Sequence, residues 1–390
     1  MIRVFDMFAG YGGAEFALKK EGIEHECVGF SEINKYAIKV FEQNFPNVKN
    51  YGDCTKINPT DLPDFDLLTG GFPCQDVSIA GQRDLSKGRT NLYLEVLRIA
   101  NLKKPKYMLL ENVKGLASME VEERKLINKI VADLQKIGYG VCWKILNSSD
   151  FGIPQNRERI WFVCKLGGWN FAEFNFPTKE ELKIFLIDLL DDQADEKYYL
   201  SEEQMKRLLV GIKNKNRSKI GVLQESISGA LTARDYKTLK CIRIDKQEGR
   251  DREYKRVYSA NGLSPTLHGK TGGWQEVKVA IPVLTPNRAE KRQNGRRFKD
   301  NGESMFTLTG QDIHGVYDGQ IIRRLTPKEY FRLMGFVNDE INLEGISDTK
   351  AYSLAGNGWD INIVSKIFKQ MFKVPQVQYV VGKQDEEVKQ

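Results

Sequence analysis

Phe5-Asp-Met-Phe-Ala-Gly-Tyr-Gly-Gly13 follows the apolar run Ile2–Phe5 at the start of the chain. Glycines at such a point let the backbone turn tightly and approach a ligand closely. The stretch is not a dinucleotide fingerprint, because Glu15 stands where the last glycine of GxGxxG is required. It predicts a ligand-binding turn after a buried strand, although a plain tight turn would use the same glycines.

Short apolar runs alternate with helical patterns over residues 1–165. Five runs are typical of buried strands: Ile2–Phe5, Cys27–Phe30, Phe65–Thr69, Tyr107–Leu110 and Ile160–Cys164. Amphipathic stretches typical of helices lie between them: Ala14–Glu21, Tyr36–Phe45 and Glu122–Ile137. This alternation predicts an α/β fold built on a doubly wound parallel sheet, in which ligands bind at the carboxyl ends of the strands.

The pattern changes after Pro177. Lys179–Asp195 is an acidic helical stretch typical of a connector, and residues 220–320 are rich in Gly, Thr and short strands. Helical spacing returns at residues 326–336, which open with Thr326 as N-cap, and again at Asp360–Phe372. We predict a core domain, an inserted smaller and mostly β lobe, and a return to the core. The bounds are 1–175, 176–320 and 321–375, with a flexible tail over 376–390.

Composition bounds the class of protein. The 390 residues are 41% hydrophobic and 28% charged, which is typical of a globular chain. No apolar run approaches the roughly 18 residues that a membrane span needs, and the N-terminus lacks the layout of a signal peptide. The six cysteines form no CxxC and only three histidines are present, so we expect neither a metal site nor disulfides. We expect a soluble, cytoplasmic protein.

Charge is distributed unevenly along the chain. The net charge is +7, yet residues 201–300 carry 23 Lys and Arg against 11 Asp and Glu, a net of +12, which leaves −5 on the rest. A neutral-to-acidic body with one basic segment indicates a catalytic core with a polyanion-binding module. The alternative is a solvated, lysine-rich surface.

Carboxylates follow the second and third predicted strands. Glu32 stands where a ribose-binding carboxylate would lie, and Gly52-Asp53 comes at the next strand end. Two carboxylates without a phosphate-cradling loop suit a nucleoside that lacks a pyrophosphate. S-adenosylmethionine is such a nucleoside.

Gly70-Gly-Phe-Pro-Cys-Gln75 follows the strand Phe65–Thr69. Pro73 and two glycines place Cys74 on a rigid turn at the ligand-binding edge, where an exposed thiol belongs. A useful thiol nucleophile needs nearby positive charge or a base, because free thiols have a pKa near 8.5. The alternative for Cys74 is inert packing.

Two further motifs complete the set. Glu111-Asn-Val113 follows Tyr107–Leu110, and its glutamate either caps a helix or acts on a bound base. Gln155-Asn-Arg-Glu-Arg159 precedes the strand Ile160–Cys164. Its two arginines are two positions apart on an extended segment, so both face one side, either into the cleft or into a surface ion-pair cluster with Glu158.

These motifs, in this order and at these separations, resemble those of the DNA (cytosine-5)-methyltransferases of bacteria and phages. The late stretches Arg323-Arg-Leu-Thr-Pro-Lys-Glu-Tyr-Phe-Arg-Leu-Met-Gly-Phe336 and Ala355-Gly-Asn-Gly358 extend the match. The resemblance covers roughly residues 1–165 and 322–372. It implies a Rossmann-like S-adenosylmethionine-dependent core with an inserted target-recognition domain. One departure is Gly358-Trp359, where the family more often has a small residue and then valine.

The resemblance also implies residue roles. Cys74 matches the covalent nucleophile, Glu111 the residue that contacts the cytosine ring nitrogen, and Arg157 and Arg159 the pair beside the target base. The positions matching cofactor contacts are Phe8, Ala9, Gly10, Tyr11, Gly12, Gly13, Glu32, Ile33, Asp53, Cys54, Leu92 and Asn357. Gln75, Ser78 and Arg89 match the loop that closes over DNA.

Double-stranded DNA is the partner implied, and the target base must be flipped out of the stack. Arg288–Lys299 is the densest basic run, and we predict that Arg296 and Arg297 contact DNA unless the run is only a solvated loop. The rival functions are a tRNA cytosine-5 methyltransferase of the same fold, a catalytically inactive DNA-binding paralogue and a nicotinamide oxidoreductase. We expect a monomer, with a cognate restriction endonuclease left open.

Overall fold

The computed structural model describes residues 1–73, 92–121, 124–170, 173–201, 203–204, 280–286, 288, 296–318 and 322–372. The strands are β1 (Ile2–Met7), β2 (His25–Ser31), β3 (Leu67–Gly71), β4 (Tyr107–Val113), β5 (Glu120–Val121), β6 (Arg124–Lys125), β7 (Tyr139–Asn147), β8 (Glu158–Leu166), β9 (Ile281–Val283), β10 (Gly315–Tyr317) and β11 (Ile322–Arg324). The α-helices are α1 (Gly13–Lys20), α2 (Lys35–Asn44), α3 (Leu92–Lys103), α4 (Leu126–Lys136), α5 (Pro327–Arg332), α6 (Asp348–Asn357) and α7 (Ile361–Phe372). Short 3-10 turns occupy Cys54–Lys56, Pro59–Asp61, Lys114–Ser118, Ser148–Phe151, Leu186–Leu189 and Glu196–Tyr198.

Six strands form one mixed sheet in the order β2-β1-β3-β4-β8-β7. The first four predicted strands are parallel, as expected. The prediction that Ile160–Cys164 also runs parallel is wrong, because β8 is antiparallel to β4 and to β7. Only residues 148–157 join β7 to β8, and a parallel connection needs a crossover of a dozen or more residues. Strand β7 itself was not predicted.

Apolar side chains cover both faces of this sheet. Val4 and Leu67 belong to the core beneath α1, α6 and α7, whereas their neighbours Phe5 and Leu68 belong to the core beneath α3 and α4. Successive residues of a strand point to opposite faces, so this division confirms a doubly wound arrangement.

A small antiparallel sheet in the order β11-β10-β9 joins β9 and β10 of the predicted inserted lobe to β11 of the predicted return to the core. Helix α5 follows it with the predicted start, since Thr326 is its N-cap and Pro327 its first residue. Glu329 closes a capping box with Thr326 and forms a buried, two-point ion pair with Arg323. Helix α7 confirms the second predicted helix, and α1 packs against it.

The predicted helix over Lys179–Asp195 is wrong, because among these residues only Leu186–Leu189 forms a 3-10 turn. Leu186 and Leu189 are buried, and Asp191 pairs with Arg332 of α5 at 2.8 Å. The conformation of this segment is therefore determined by its contacts with the neighbouring core, and the helical spacing of its sequence does not produce a helix. Most of the predicted inserted lobe lies outside the described residues. Within the described ranges, no helix has the length and apolarity to span a membrane.

Candidate active site

Three central strands end side by side at one edge of the sheet. The register pairs Met7 of β1 with Gly70 of β3, and Gly71 of β3 with Glu111 of β4. On the other side of β4, the start of β8 brings Arg159 alongside. The glycine-rich first turn, the Gly70-Gly71 turn, the predicted glutamate and the arginine motif are therefore neighbours, as the strand-end rule predicts.

Glu111 and Arg159 form an ion pair at this edge. Arg159 Nε lies 2.9 Å from Glu111 Oε1, and the two side chains are 16% and 13% exposed. Burial raises the pKa of the Glu111 carboxyl, while Arg159, Arg157 and the Trp359 indole each lower it. A carboxyl group under these opposing influences is suited to giving and recovering a proton. The helix-cap alternative is wrong, because Val113 is the N-cap of the turn that follows.

Arg157 lies close to this pair but directs its donors into the protein. It donates from Nη1 to the Leu308 carbonyl at 2.9 Å, from both terminal nitrogens to the Gly356 carbonyl at 3.2 Å, and from Nη2 to the Gly358 carbonyl at 2.7 Å. Burial lowers the pKa of Arg157 to about 9, so it is still charged at neutral pH. These bonds join the arginine motif to the Ala355–Gly358 motif. A contact between Arg157 and the target base stays a prediction.

Glu158 does not neutralise the two arginines. Its carboxylate pairs with Lys114 at 2.7 Å, and Arg159 reaches only the Glu158 backbone carbonyl. The alternative of a surface cluster between the arginines and Glu158 is therefore wrong.

The first turn presents only part of its predicted cofactor residues to the edge. Phe8 and Gly10 are half-buried, and Phe8 has a φ of 55°, a strained value for a residue other than glycine that is typical of ligand-binding turns. The Tyr11 ring instead packs in the core, 5.4 Å from Phe331 and 5.6 Å from Phe336. Tyr11 can therefore line a cofactor site only through its backbone. The buried members of the set are Ala9, Tyr11, Gly12 and Gly13.

Glu32 follows β2 and faces the first turn. Its Oε2 accepts the Gly10 N–H at 2.9 Å, and its Oε1 accepts the N–H groups of Ile33 and Asn34 at 2.9 and 2.8 Å. A carboxylate has about four acceptor positions, so these bonds leave roughly one for a ligand hydroxyl. The Ile33 side chain is 75% exposed, an apolar surface beside this carboxylate.

Asp53 is the N-cap of a 3-10 turn, three residues after the isolated bridge between Phe30 and Asn50. The prediction that it follows the third strand is wrong, because β3 begins only at Leu67. Asp53 Oδ1 accepts the N–H and the hydroxyl of Thr55, and these two bonds lower its pKa. Its Oδ2 is 3.9 Å from Lys56 Nζ. Cys54 is buried directly after it.

The two remaining predicted cofactor positions lie at helix ends. Leu92 is half-buried at the start of α3. Asn357 is exposed at the end of α6, with its side-chain amide over Gly310: a Cβ on that glycine would lie 2.6 Å from Asn357 Oδ1.

Some predicted residues are not placed at the edge. Cys74, Gln75, Ser78 and Arg89 lie outside the described residues. Arg296 is 48% exposed and pairs with Asp300 at 3.4 Å and also with Glu303. Arg297 donates to the Arg288 carbonyl at 2.5 Å, and burial lowers its pKa. Arg296 therefore suits a surface contact better than Arg297, and DNA contact by either one stays a prediction.

Comparison with known proteins agrees with these motifs. The family model for C-5 cytosine-specific DNA methylase matches residues 2–373. The chain belongs to this family. Among its relatives, the orphan methyltransferase M.SPBetaI of Bacillus phage SPbeta is 34% identical, with 95% of this chain and 97% of that protein covered. The type II methyltransferase M.HhaI of Haemophilus parahaemolyticus is 31% identical, with 94% and 93% covered.

Solved structures with the same fold include the Dnmt2 methyltransferase of S. pombe, with a TM-score of 0.60 and 17% identity over 96% of this chain and 99% of that one. A putative DNA modification methyltransferase encoded within an E. coli prophage has a TM-score of 0.57 and 19% identity over 96% and 99%.

Two residues near the site of this methyltransferase were not predicted from the motifs. Asp6 of β1 is buried and accepts the Thr69 hydroxyl, and burial raises its pKa to about 8. A charged residue inside an apolar strand pattern was the available signal. Trp359, noted only as a departure from the family pattern, places its indole against Glu111. The residue before it has to be glycine, because a Cβ on Gly358 would lie 2.0 Å from the Tyr11 ring.

Proposed function

We propose that this methyltransferase moves a methyl group from S-adenosylmethionine to carbon 5 of a cytosine in duplex DNA, with Cys74 as the covalent nucleophile. The observation that carries the proposal is the Glu111–Arg159 ion pair beside the Gly70-Gly71 turn. Cys74 follows Gly71 by three residues in the sequence. Addition to a pyrimidine ring requires a thiol, an acid and a cation, and the structure brings the acid and the cation together at this edge.

The residues near the end of β2 fit S-adenosylmethionine. Glu32 keeps one acceptor position for a ribose hydroxyl, and Asp53 keeps Oδ2 for the adenine amino group. The exposed Ile33 offers an apolar surface for the adenine ring. When bound, S-adenosylmethionine supplies the electrophilic methyl group that carbon 5 takes up.

The protein's own groups activate the ring. The Cys74 thiolate forms a bond to carbon 6 of cytosine, and the displaced electron pair moves toward the ring nitrogen, which takes a proton from Glu111. Carbon 5 thereby becomes enamine-like. Arg159 stabilises the carboxylate that Glu111 leaves behind.

Release reverses this activation. After carbon 5 is methylated, its proton is lost to solvent and that electron pair restores the ring double bond. The carbon–sulfur bond breaks and the thiolate leaves. Glu111 takes its proton back from the ring nitrogen.

Duplex DNA is the proposed partner, and the target cytosine is flipped out because a stacked base cannot be attacked at carbon 6. We propose that the DNA around the flipped-out base is contacted by Gln75, Ser78 and Arg89. Arg296 would contact a phosphate. Neutralising Arg296 should weaken binding and reduce the salt dependence of affinity. An unchanged dependence of the DNA affinity on salt concentration would contradict a contact between Arg296 and DNA.

The test is transfer of labelled methyl groups from S-adenosylmethionine to unmethylated duplex DNA by the native protein, by Cys74→Ser and by Cys142→Ser. Cys142 lies on β7 away from the edge, so its variant controls for loss of a thiol as such. Label on carbon 5 of cytosine from the native protein and Cys142→Ser, but not from Cys74→Ser, supports the proposal. Label on tRNA alone would keep the chemistry and replace the substrate. DNA binding without label on either nucleic acid would contradict the proposal.

A further inference from the structure

Trp359 is fixed in place directly behind the Gly70-Gly71 turn. Its indole packs edge-on against Trp161, with ring centroids 5.2 Å apart. The Tyr11 hydroxyl donates a hydrogen bond to the Trp359 backbone carbonyl. A Cβ built on Gly13 would lie 3.1 Å from Trp359 Cβ, so the backbone after the first turn also packs closely against Trp359. A side chain that packs on one aromatic ring and against a glycine, with its own backbone anchored by a hydrogen bond, has little rotamer freedom.

The Trp359 indole nitrogen and the Glu111 carboxylate both lie next to Gly71. A Cβ built on Gly71 would lie 2.8 Å from Trp359 Nε1 and 3.0 Å from Glu111 Oε2. Arg159 Nε already holds the other carboxylate oxygen, Oε1, at 2.9 Å. An indole N–H is a donor only and usually finds an acceptor when buried, and Glu111 Oε2 is the acceptor beside the Trp359 indole.

We propose that Trp359 is a positioning residue for the methyl-transfer reaction, whose indole N–H holds Oε2 of Glu111 while Arg159 holds Oε1. This inference rests on the proposed function for the role of Glu111 as proton donor. With both oxygens held, the carboxyl plane is fixed by β8 on one side and by the segment after α6 on the other. Valine, which the family more often has at this position, has no donor, so the arrangement is a property of this chain.

The indole has a second effect, on charge. Donation to a carboxylate stabilises its ionised form, which is the form that Glu111 takes once it has given its proton to the cytosine ring. The other groups that act on Glu111 are Arg159 of β8 and Arg157 before it, both cations, while the Tyr11 phenol lies on the first turn. Trp359 therefore makes Glu111 a stronger acid without adding a charge to the site.

The first test needs no activity. The protein has five tryptophans, so ¹⁵N-tryptophan labelling gives five indole N–H signals. We expect one of them, identified by its loss in Trp359→Phe, to move with pH as Glu111 ionises and to stop moving in Glu111→Gln. A pH-independent Trp359 signal, unchanged in Glu111→Gln, would overturn the proposal. The titration itself compares the native protein with Glu111→Gln, and Trp359→Phe serves only to assign the signal.

The second test is the pH profile of methyl transfer. Trp359→Phe keeps the ring and removes the donor, so the Glu111 pKa rises and the alkaline limb of kcat should move upward by about one pH unit. On the plateau kcat should fall by roughly tenfold, because Glu111 becomes a weaker acid, while KM for DNA stays close to native.

Trp161→Phe is the matched control. Trp161 lies opposite Glu111 in the β4–β8 register, yet its buried indole N–H has no hydrogen-bond partner among the described residues. This variant should leave the alkaline limb in its native position. Equal profiles for Trp359→Phe and the native protein, or equal shifts in both phenylalanine variants, would overturn the proposal. Absence of methyl transfer by the native protein would instead contradict the proposed function, and the indole titration would still decide the Trp359–Glu111 contact.

Discussion

Replacing Arg157 by lysine separates two roles for the inner arginine of the motif. In the structure its guanidinium makes four hydrogen bonds to the carbonyls of Leu308, Gly356 and Gly358. A lysine ammonium is a single donor centre on a flexible stem and cannot reproduce that fork. We therefore expect one or two of the three carbonyls to lose their partner.

The expected loss of stability follows from that count. An unsatisfied buried acceptor costs about 1–3 kcal/mol, so Arg157→Lys should lower the free energy of unfolding by about 2–4 kcal/mol. For a protein of this size that corresponds to a fall in Tm of roughly 2–5 °C, because the unfolding entropy grows with chain length. Activity should fall as well, because the same bonds hold the Ala355–Gly358 motif, and with it Asn357, against the arginine motif.

The assay is urea unfolding together with steady-state methyl transfer on Arg157→Lys and Arg159→Lys. Arg159 contacts Glu111 through Nε and is partly exposed, so its lysine variant should lose kcat with a change in Tm of no more than about 1 °C. A native Tm for Arg157→Lys, combined with a lowered kcat, would refute the structural role of the Arg157 hydrogen bonds. It would show that Arg157 acts on the bound base.

Three further predictions concern other parts of the core. Glu329→Gln should lower the free energy of unfolding in urea by about 3–5 kcal/mol, because its carboxylate accepts four hydrogen bonds, two of them from the terminal nitrogens of Arg323; a loss below about 1 kcal/mol would contradict this. Gly71→Ala should lower kcat by displacing the Trp359 indole, which would lie 2.8 Å from the new Cβ, whereas Gly115→Ala, with open space around it, should keep native kcat. Burial raises the pKa of Asp6 from 3.8 to about 8, so the folded protein retains a proton that the unfolded chain releases, and stability falls as pH rises between these values. Asp6→Asn should flatten that fall in unfolding free energy measured against pH, and an unchanged slope would mean that Asp6 is ionised in the folded state.

Local pattern was sufficient for much of the fold and for the location of the site. Apolar runs bounded by glycine and acidic residues predicted the four parallel strands, because a buried strand has to be apolar on both faces and has to end in a turn. Thr326 and Pro327 predicted the start of α5, because N-caps satisfy backbone groups within the same turn. The strand-end rule then predicted the positions of Glu32 and Glu111 without any knowledge of distant contacts.

Only the tertiary structure decided what depends on partners far away in the chain. The direction of β8 follows from a short connection to β7, a strand whose mixed, partly exposed sequence carried no clear pattern. The Tyr11 hydroxyl and the Trp359 carbonyl are 348 positions apart, and Arg157 and the Gly356 carbonyl are 199 apart. No periodicity links residues at such separations, since packing and unpaired polar groups bring them together only when the core closes. The sequence determined which residues stand at this edge of the sheet, and the closed core decided which of their side chains stay accessible there and which pack inside the protein.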